Sequence, residues 1–343
     1  MTLRLESHGA AVVDLQGRLN DLGYPTDDPS ETFGADTESA VRAFQTARGL
    51  RCDGVCGEQT WAALVEAGYR LGDRLLYLKR PMFRGDDVAE LQRRLGGLGF
   101  DAGRVDGIFG PQTGLALKDF QRNVGVTLDD AIVGRDTLRV LLGLSGRING
   151  EVVSGVRERQ RLLEAPRTLI GRRVVVGETG GLSSLADSVR RALIRAGCSV
   201  STLHDPDESA QAHQANQLAG EVYLGLRLEP DTPGCEADYF VGHNGIGSVG
   251  GRRLAEAVQA IVPAALGIPN LGVRGMRIPV LRETRMPAVL ACLGPPVIAV
   301  ERAGVVAASL TEALAAWASA PCDEASDGAF PESTGDRSGP VRS

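Results

Sequence analysis

The strongest constraint on the fold of this chain is a repeat within its first half. Gly9 matches Gly85 and Phe44 matches Phe120, so the offset is 76 residues at both ends of the match. A pattern that returns at a fixed offset indicates that one structural unit has been duplicated. At 343 residues the chain is also too long for a single compact core. We therefore expect two small related units followed by at least one further domain.

Each copy of the repeat has the hydrophobic spacing of short helices. Apolar residues recur every three or four positions before a glycine, which predicts an amphipathic helix closed by that glycine. A second helix is predicted to begin at Thr37 or Thr113, and a third, shorter helix follows. The apolar positions of the first helices are Val12, Leu15, Leu19 and Leu22 before Gly23, and Val88, Leu91, Leu95 and Leu98 before Gly99.

Several recurring residues of the second copy have a structural explanation. Gly107 and Gly110 suit a turn that needs positive φ, and Thr113 suits a helix N-cap. Phe120 suits a core position. A binding role therefore depends on the unit as a whole, and Asp106, Gly107 and Phe109 are the candidate ligand contacts within its turn.

The repeated unit resembles the peptidoglycan-binding module of bacterial wall hydrolases. The resemblance rests on a V..LQ..L..LG opening, on DG.FG..T and A...FQ...GL elements, and on a terminal G..T...L. The second copy keeps the fuller turn, Val105-Asp106-Gly107-Ile108-Phe109-Gly110, whereas the first has lost the Asp-Gly step. The resemblance implies three-helix modules at residues 1–78 and 79–144 that bind peptidoglycan fragments or precursors between their helices.

The second half of the chain has a different pattern. Residues 145–168 are interpreted as a linker with a short helix, and residues 169–319 alternate strands with helices, which favours a mostly parallel sheet flanked by helices. The predicted strands include Val222–Leu228 and a late strand at Pro296–Val300. Residues 320–343 are rich in Ser, Gly, Pro and acidic residues, so we expect a disordered tail. The predicted fold class is two small all-α modules followed by an α/β domain.

The order of these elements resembles the zinc-dependent N-acetylmuramoyl-L-alanine amidases. The likeness is carried by Ala215-Asn216, Gly272-Val273-Arg274, Val280-Leu281-Arg282 and Met286-Pro287-Ala288-Val289-Leu290. In that family a DPGHGG turn supplies a zinc-binding His, and a Glu opens the next helix as the second ligand. An S.HAN segment supplies another His, and a PAVL.E.GF segment supplies the acid/base Glu.

Carried over residue by residue, this catalytic set is not retained. Thr179 stands where the first His belongs; alternatively the turn is shortened, Glu178 replaces the ligand Glu, and the His is deleted. Arg227 stands at the second His, and Cys292 falls on the acid/base position. The resemblance thus implies that these are degenerate catalytic positions, and we expect no metal ligands and no cofactor.

Arg227 is the most informative of these substitutions. A guanidinium stays protonated and has no lone pair to give to zinc. Holding Zn²⁺ at about 4 Å from that charge would cost roughly 8 kcal/mol at an effective dielectric constant near 20. We therefore expect Arg227 to fill the vacated metal position and to pair with an acid, with Glu178 as the first candidate. The same cation could instead hold a phosphate or a stem-peptide carboxylate, so Arg227 and Glu178 are also candidate ligand contacts.

Two rebuilt sites compete with this interpretation. A rewired zinc site would use His204, His213 or His243, which do not occur at short ligand spacing. Cys292 could act as a nucleophile, but its apolar surroundings and the absence of a paired His favour an inert core thiol. The six cysteines are interpreted as reduced thiols, including the loosely spaced Cys52 and Cys56.

Charge and hydropathy exclude some classes of partner. A net charge of −6 provides no basic field for nucleic acid. No apolar run approaches the ~20 residues that a membrane-spanning helix needs. The first residues, beginning Met1-Thr2-Leu3-Arg4, lack the apolar stretch of a signal peptide, and we expect a cytoplasmic protein.

Two repeats before an amidase-like domain with Arg at a histidine position resemble the CwlM-type proteins of actinobacteria. That group is regarded as regulatory, acting in the cytoplasm on peptidoglycan precursor synthesis. The resemblance implies a peptidoglycan-binding pseudoenzyme of cell-wall metabolism, and an active amidase that cleaves the muramoyl–L-alanine bond is the alternative. The implied protein partners are a peptidoglycan-biosynthetic enzyme or a serine/threonine kinase. Candidate phosphorylation sites in the tail are Ser326, Ser333, Thr334 and Ser338.

Overall fold

The computed structural model describes residues 2–126, 130–144, 153–230, 232–242 and 245–322. The first repeat folds into three helices, and so does the second. Each repeat encloses its own apolar core, with an aromatic pair meeting edge to face: Tyr24 with Phe44 at 5.6 Å and Phe100 with Phe120 at 5.5 Å between ring centroids. The helices are α1 (Ala10–Asp21), α2 (Ala35–Ala47), α3 (Glu58–Ala67), α4 (Asp86–Gly97), α5 (Pro111–Val124) and α6 (Arg135–Leu144).

The second helix of each module begins earlier than predicted. Gly34 is the N-cap of α2 and Gly110 is the N-cap of α5. The prediction of Thr113 as an N-cap was wrong, because Thr113 lies inside α5, where its hydroxyl donates to the Ala102 carbonyl at 3.1 Å. Positive φ was predicted correctly for Gly107, at +74°, but wrongly for Gly110, at −89°.

Four buried glutamines explain the recurring LQ and FQ pairs. In each case the side-chain amide donates to a loop carbonyl and to a threonine hydroxyl, which joins two helices through a polar contact inside the module. Gln92, for example, reaches the Ile108 carbonyl at 3.0 Å and Thr113 Oγ1 at 3.1 Å. The corresponding pairs are Gln16 with Thr37, Gln45 with Thr60, and Gln121 with Thr137.

The second half contains a six-stranded sheet in the order β2-β1-β3-β6-β4-β5. The pairing of β4 with β6 is antiparallel, and the other four pairings are parallel. The elements are α7 (Val153–Glu164), β1 (Arg173–Glu178), α8 (Ser183–Arg195), β2 (Ser199–His204), α9 (Glu208–Gln217), β3 (Val222–Leu228), β4 (Gly234–Phe240), α10 (Val249–Leu266), β5 (Asn270–Met276), α11 (Pro279–Glu283), β6 (Ala288–Gly294), α12 (Pro296–Glu301) and α13 (Ala303–Ser319).

Helices cover both faces of the sheet. On one face α8, α10 and α13 enclose a large core that contains Leu224, Val289 and Trp317. On the other face α9 and α11 cover a smaller core that contains Tyr223 and Leu290. The predicted fold class, two helical modules before a mostly parallel α/β domain, is therefore confirmed.

The late part of the sheet differs from the prediction. Pro296–Val300 was predicted as a strand, but it forms α12, with Pro296 at its first position. Proline has no amide hydrogen to give to a sheet and suits the first turn of a helix. The late central strand is β6 instead, whose seven residues are all buried. The sequence reasoning also missed β5, an edge strand that is mostly exposed.

The segment predicted as a linker contains α7, which packs on the α/β domain. Leu162 joins the large core, and the Glu158 carboxylate accepts from the Ser248 hydroxyl and from the first amides of α10. An acidic side chain at this helix end satisfies amides that have no partner within the helix. Within the described residues, no helix combines the length and apolar character needed to cross a membrane.

Candidate functional site

Three of the candidate residues, Glu178, Arg227 and Cys292, lie near the ends of strands at one edge of the sheet. Strands β1, β3 and β6 run parallel, so their carboxyl ends meet where ligands bind in open α/β sheets. Glu178 pairs with Leu226 across the strands, whereas Arg227 pairs with Cys292. Since successive side chains point to opposite faces, Glu178 lies on the Leu226 face, and Arg227 and Cys292 lie on the other.

Glu178 is held at the turn after β1. Its side chain is 2% exposed and accepts from the amides of Gly180 at 2.6 Å and Leu182 at 3.2 Å. Ser183 Oγ lies at 3.1 Å and His204 Nδ1 at 2.7 Å from Glu178 Oε1. Burial opposes ionisation, but these partners outweigh it and lower the pKa of Glu178 below its usual value. The carboxylate therefore stabilises the turn and orients the imidazole of His204.

Arg227 forms an ion pair with Glu208, the first residue of α9. The side chains are 13% and 8% exposed, so the pair is largely removed from solvent. The expected pairing with Glu178 was wrong, because Glu178 lies on the opposite face of the sheet. The broader expectation of an acidic partner for Arg227 agrees with this contact.

Cys292 lies in a buried polar row beside Arg227. Its Sγ is 3.6 Å from Asp238 Oδ2, and Asp238 in turn binds the guanidinium of Arg274, with Nε at 3.1 Å from Oδ1. Arg274 also reaches Glu236 at 2.8 Å. Burial, reinforced by the Asp238 charge, raises the pKa of the Cys292 thiol well above its usual value. Burial likewise raises the pKa of Asp238, although the nearby Arg274 opposes this.

The other residues considered from the sequence lie apart from this row. Thr179 is in the turn after β1 and is partly exposed. His204 is directed towards Glu178 by its Nδ1 atom, and His213 is exposed on α9. His243 lies outside the described residues.

The residues at this edge do not fit a zinc ion. Zinc in the amidases requires imidazole and carboxylate ligands that converge on one point, whereas this edge presents a cation that is already neutralised by Glu208. Across the described ranges, no three His, Cys, Asp or Glu side chains lie together so that they could hold a metal ion.

The candidate ligand contacts in the second module make contacts within the protein. Phe109 is fully buried in the module core, so its predicted role as a ligand contact was wrong. The Asp106 carboxylate accepts from Gln92 at 2.9 Å, and its carbonyl accepts from Arg282 of α11 at 2.6 Å. A Cβ at Gly107 would lie 2.9 Å from the Gly85 carbonyl oxygen. This turn therefore joins the module to the α/β domain.

A groove on the first module was missed by the sequence reasoning. It has a volume of about 290 Å³ and lies beside α2. In the second module the corresponding surface contains Asp101, which is offset by 76 residues from Pro25 and pairs with Arg157 of α7. Helix α7 thus covers part of the second copy. The first groove is lined by Gly23, Tyr24, Pro25, Asp27, Asp36, Ser39, Ala40 and Ala43.

Comparison with known proteins agrees with this architecture. The family model described as "Putative peptidoglycan binding domain" matches residues 8–64 and 84–141. Over 332 residues the chain is 35% identical to the N-acetylmuramoyl-L-alanine amidase CwlM of Mycobacterium tuberculosis, covering 85% of this chain and 81% of that protein. The chain belongs to the CwlM family.

Further similarities cover parts of this CwlM-family chain. It is 31% identical over 157 residues to the N-acetylmuramoyl-L-alanine amidase CwlL of Bacillus licheniformis, covering 39% of this chain and 43% of that protein. The solved catalytic domain of CwlV from Bacillus (Paenibacillus) polymyxa matches with 18% identity and a TM-score of 0.35, covering 42% of this chain and 97% of the other.

The sequence of this CwlM-family member did not indicate all the charged residues that lie around Arg227. Glu208 follows the N-cap Asp207 in a polar helix, where an acid at the first turn is explained by the helix dipole alone. Asp238 and Glu236 lie on β4, which contains none of the residues that carry the resemblance to the amidases. Only the register of β3, β6 and β4 brings these residues beside Arg227.

Proposed function

We propose that this CwlM-family chain is a peptidoglycan-binding protein whose amidase-like domain is not a hydrolase. It would act in cell-wall metabolism in the cytoplasm and regulate precursor synthesis through binding. The match of both modules to the peptidoglycan-binding family supports the ligand class. A peptidoglycan-biosynthetic enzyme or a serine/threonine kinase is the proposed protein partner.

The ion pair between Arg227 and Glu208 is the observation that carries the proposal. Arg227 stands at the position of a zinc-binding His in the resemblance, and its charge is neutralised by a buried carboxylate. A buried ion pair is lost only at a large cost, because removing one partner leaves the other charge uncompensated. The pair therefore keeps a fixed cation at the position that hydrolysis would need for a metal.

The acid/base position supports the same conclusion. Amide hydrolysis needs a group that exchanges protons near neutral pH at the reacting bond. Cys292 is 2% exposed, and its thiol pKa is raised by burial, so it stays protonated. It offers neither a carboxylate for proton transfer nor a thiolate for nucleophilic attack.

The groove on the first module supports binding of a glycan or stem peptide. Tyr24 offers an aromatic ring, and Asp27 and Asp36 offer acceptors for hydroxyl and amide groups. We propose that a peptidoglycan fragment binds here rather than at the turn of the second module. The matching surface of the second module is partly covered by α7 through the pair of Arg157 with Asp101.

Metal analysis and a hydrolysis assay test the loss of activity. The purified full chain should contain no stoichiometric zinc and should release no L-alanine peptides from soluble muropeptides, while an active zinc amidase in the same assay does. Stoichiometric zinc together with released peptides would overturn the proposal.

Binding of a soluble muropeptide, measured by calorimetry, tests the location of the groove. Asp36→Lys should weaken binding, because it replaces an acceptor at the groove with a cation. Gln112→Lys is the matched control at the offset position of the second module and should leave the affinity unchanged. Equal loss in both variants would place the ligand elsewhere.

An active amidase is the second candidate, favoured by one observation. The related Mycobacterium tuberculosis protein carries the name N-acetylmuramoyl-L-alanine amidase. As an active amidase, the chain would cleave the muramoyl–L-alanine bond in peptidoglycan, with a metal site unlike that of the zinc amidases. The zinc and hydrolysis measurements above separate the two candidates.

A further inference from the structure

The first module contacts the α/β domain at two places, beside the end of β5 and at the carboxyl end of β3, next to Arg227. Its contact begins in the loop after α2, residues 48–51, which we call the docking loop. The Gly49 carbonyl accepts from the backbone amide of Arg277, which follows β5, at 2.7 Å. Gly49 has φ +61°, and a Cβ there would lie 3.2 Å from Arg277 N and 3.3 Å from Met276 Cα. The positive φ and the close backbone approach therefore both favour glycine at this position.

Side chains extend the contact towards the buried ion pair. Arg51 of the docking loop pairs with Glu229 at 2.9 Å, and Glu229 is two residues beyond Arg227. From α3, Gln59 Nε2 lies 3.5 Å from Glu208 Oε2, the partner of Arg227. The first module thus touches the ion-pair partner of Arg227 and also the residue two positions after Arg227 in the chain.

From these contacts we propose that the first module is a lid docked on the carboxyl edge of the sheet, closing the amidase-like site. The partner for this edge is then a part of the same chain rather than a glycan strand. In this arrangement Arg227, Glu208 and Cys292 form the floor beneath the lid, and all three have low exposure.

The position of the groove allows the lid to stay docked while it binds. The groove uses Asp36, Ser39, Ala40 and Ala43 of α2, whereas the docking loop follows the end of that helix. Docking and ligand binding therefore use different surfaces of one module. The lid does not depend on the proposed ligand, so failure of the binding experiment would leave it intact.

A matched pair of glycine variants tests the docking. Gly49 and Gly125 are equivalent at the 76-residue offset, and both have positive φ, +61° and +71°. An added Cβ meets the α/β domain only at Gly49, since nothing lies within 4 Å of the same atom at Gly125. Gly49→Gln and Gly125→Gln should therefore strain their own loops alike, but only Gly49→Gln should undock the lid.

Residue-resolved hydrogen exchange of the Arg277 amide measures undocking in the full chain, because its acceptor lies in the first module. Gly49→Gln should speed this exchange and the labelling of Cys292 by a thiol reagent, mapped by mass spectrometry. Gly125→Gln should change neither rate. Equal Arg277 exchange in the two variants, or labelling of Cys292 in the unmodified chain as fast as that of the exposed Cys52, would overturn the lid.

A charge exchange provides a test without backbone strain. Arg51→Glu should speed exchange of the Arg277 amide by at most about fivefold, the effect of a partly exposed ion pair. Adding Glu229→Arg should restore the original rate, since the pair is rebuilt with reversed signs. A double variant that exchanges as fast as Arg51→Glu alone would mean that this pair does not hold the lid.

Discussion

Arg227 shows how a single substitution changes the role of a strand end. Its guanidinium cannot serve as a metal ligand, and its burial requires a nearby carboxylate. Glu208 meets that requirement because α9 covers the same face of the sheet as Arg227. In the zinc amidases that this domain resembles, the corresponding site binds a metal. Here an internal ion pair fills it.

Removing one partner of this pair should destabilise the α/β domain. Arg227→Ala leaves the Glu208 carboxylate buried without compensation, and we expect a loss of about 3 kcal/mol in the free energy of unfolding. Urea denaturation followed by circular dichroism measures it. The control is Arg190→Ala, whose pair with Asp187 on α8 is partly exposed. It should change stability by less than about 0.5 kcal/mol. Equal effects would mean that the buried pair contributes no more than a surface pair.

Glu178 should contribute to the acid sensitivity of the domain. Its folded-state pKa is lowered from 4.5, so its stabilisation is complete above the unfolded-state pKa and is lost as pH falls through the folded-state pKa. Glu178→Gln should be less stable than the original chain at neutral pH, and this difference should shrink below about pH 4.5. Asp187→Asn, on a half-exposed acid of α8, is the control. Denaturant midpoints between pH 3 and 7 measure both, and a constant difference for Glu178→Gln would contradict the prediction.

The turn before α5 is an element whose shape depends on one glycine. Gly107 has φ +74°, and an added Cβ would meet the Gly85 carbonyl at 2.9 Å and Arg282 Nη2 at 3.2 Å. The positive φ and the close packing therefore both disfavour a side chain at this position.

Gly107→Ala should destabilise the protein more than a glycine substitution that introduces backbone strain without a steric clash. Gly99 also has positive φ, +94°, but nothing lies within 4 Å of an added Cβ. Gly99→Ala should cost roughly 1–2 kcal/mol from the left-handed backbone. Gly107→Ala should exceed that value, because the Gly85 backbone must also move. Thermal unfolding of both variants measures the difference, and equal costs would show that the turn can relax freely.

In the whole molecule, α11 fastens both modules to the α/β domain. Arg282 binds Glu66 of α3 at 2.9 Å and the Asp106 carbonyl of the second module at 2.6 Å. Next to it, Glu283 pairs with Arg84 at 2.6 Å. The segment Val280-Leu281-Arg282, which carried part of the amidase resemblance, thus forms an interdomain junction.

Loss of this junction should uncouple the unfolding of the domains. Arg282→Met leaves Glu66 unpaired in a buried interface, and we expect calorimetry to show the module transition separate from that of the α/β domain at lower temperature. Arg285→Met, on an exposed neighbouring residue, should leave the unfolding profile unchanged. An unchanged profile for Arg282→Met would contradict the assigned junction.

The sequence by itself determined the repeat, the helical modules and the alternation of strands with helices. These features follow from local periodicity, since apolar spacing and glycine positions act within a few residues of each other. Helix starts were less accurate, because the N-cap residues Gly34 and Gly110 have no side chain that could signal a cap. The segment Pro296–Val300 was likewise predicted as a strand, although it forms most of α12.

Only the tertiary structure decided which charged residues meet. Strand register places Glu178 and Arg227 on opposite faces, and the docking of α9 supplies Glu208 as the partner. The position of the first module over the sheet edge depends on contacts between residues such as Arg51 and Glu229, 178 positions apart. Local sequence patterns carry no information on such distant pairs, because their meeting depends on how all intervening elements pack.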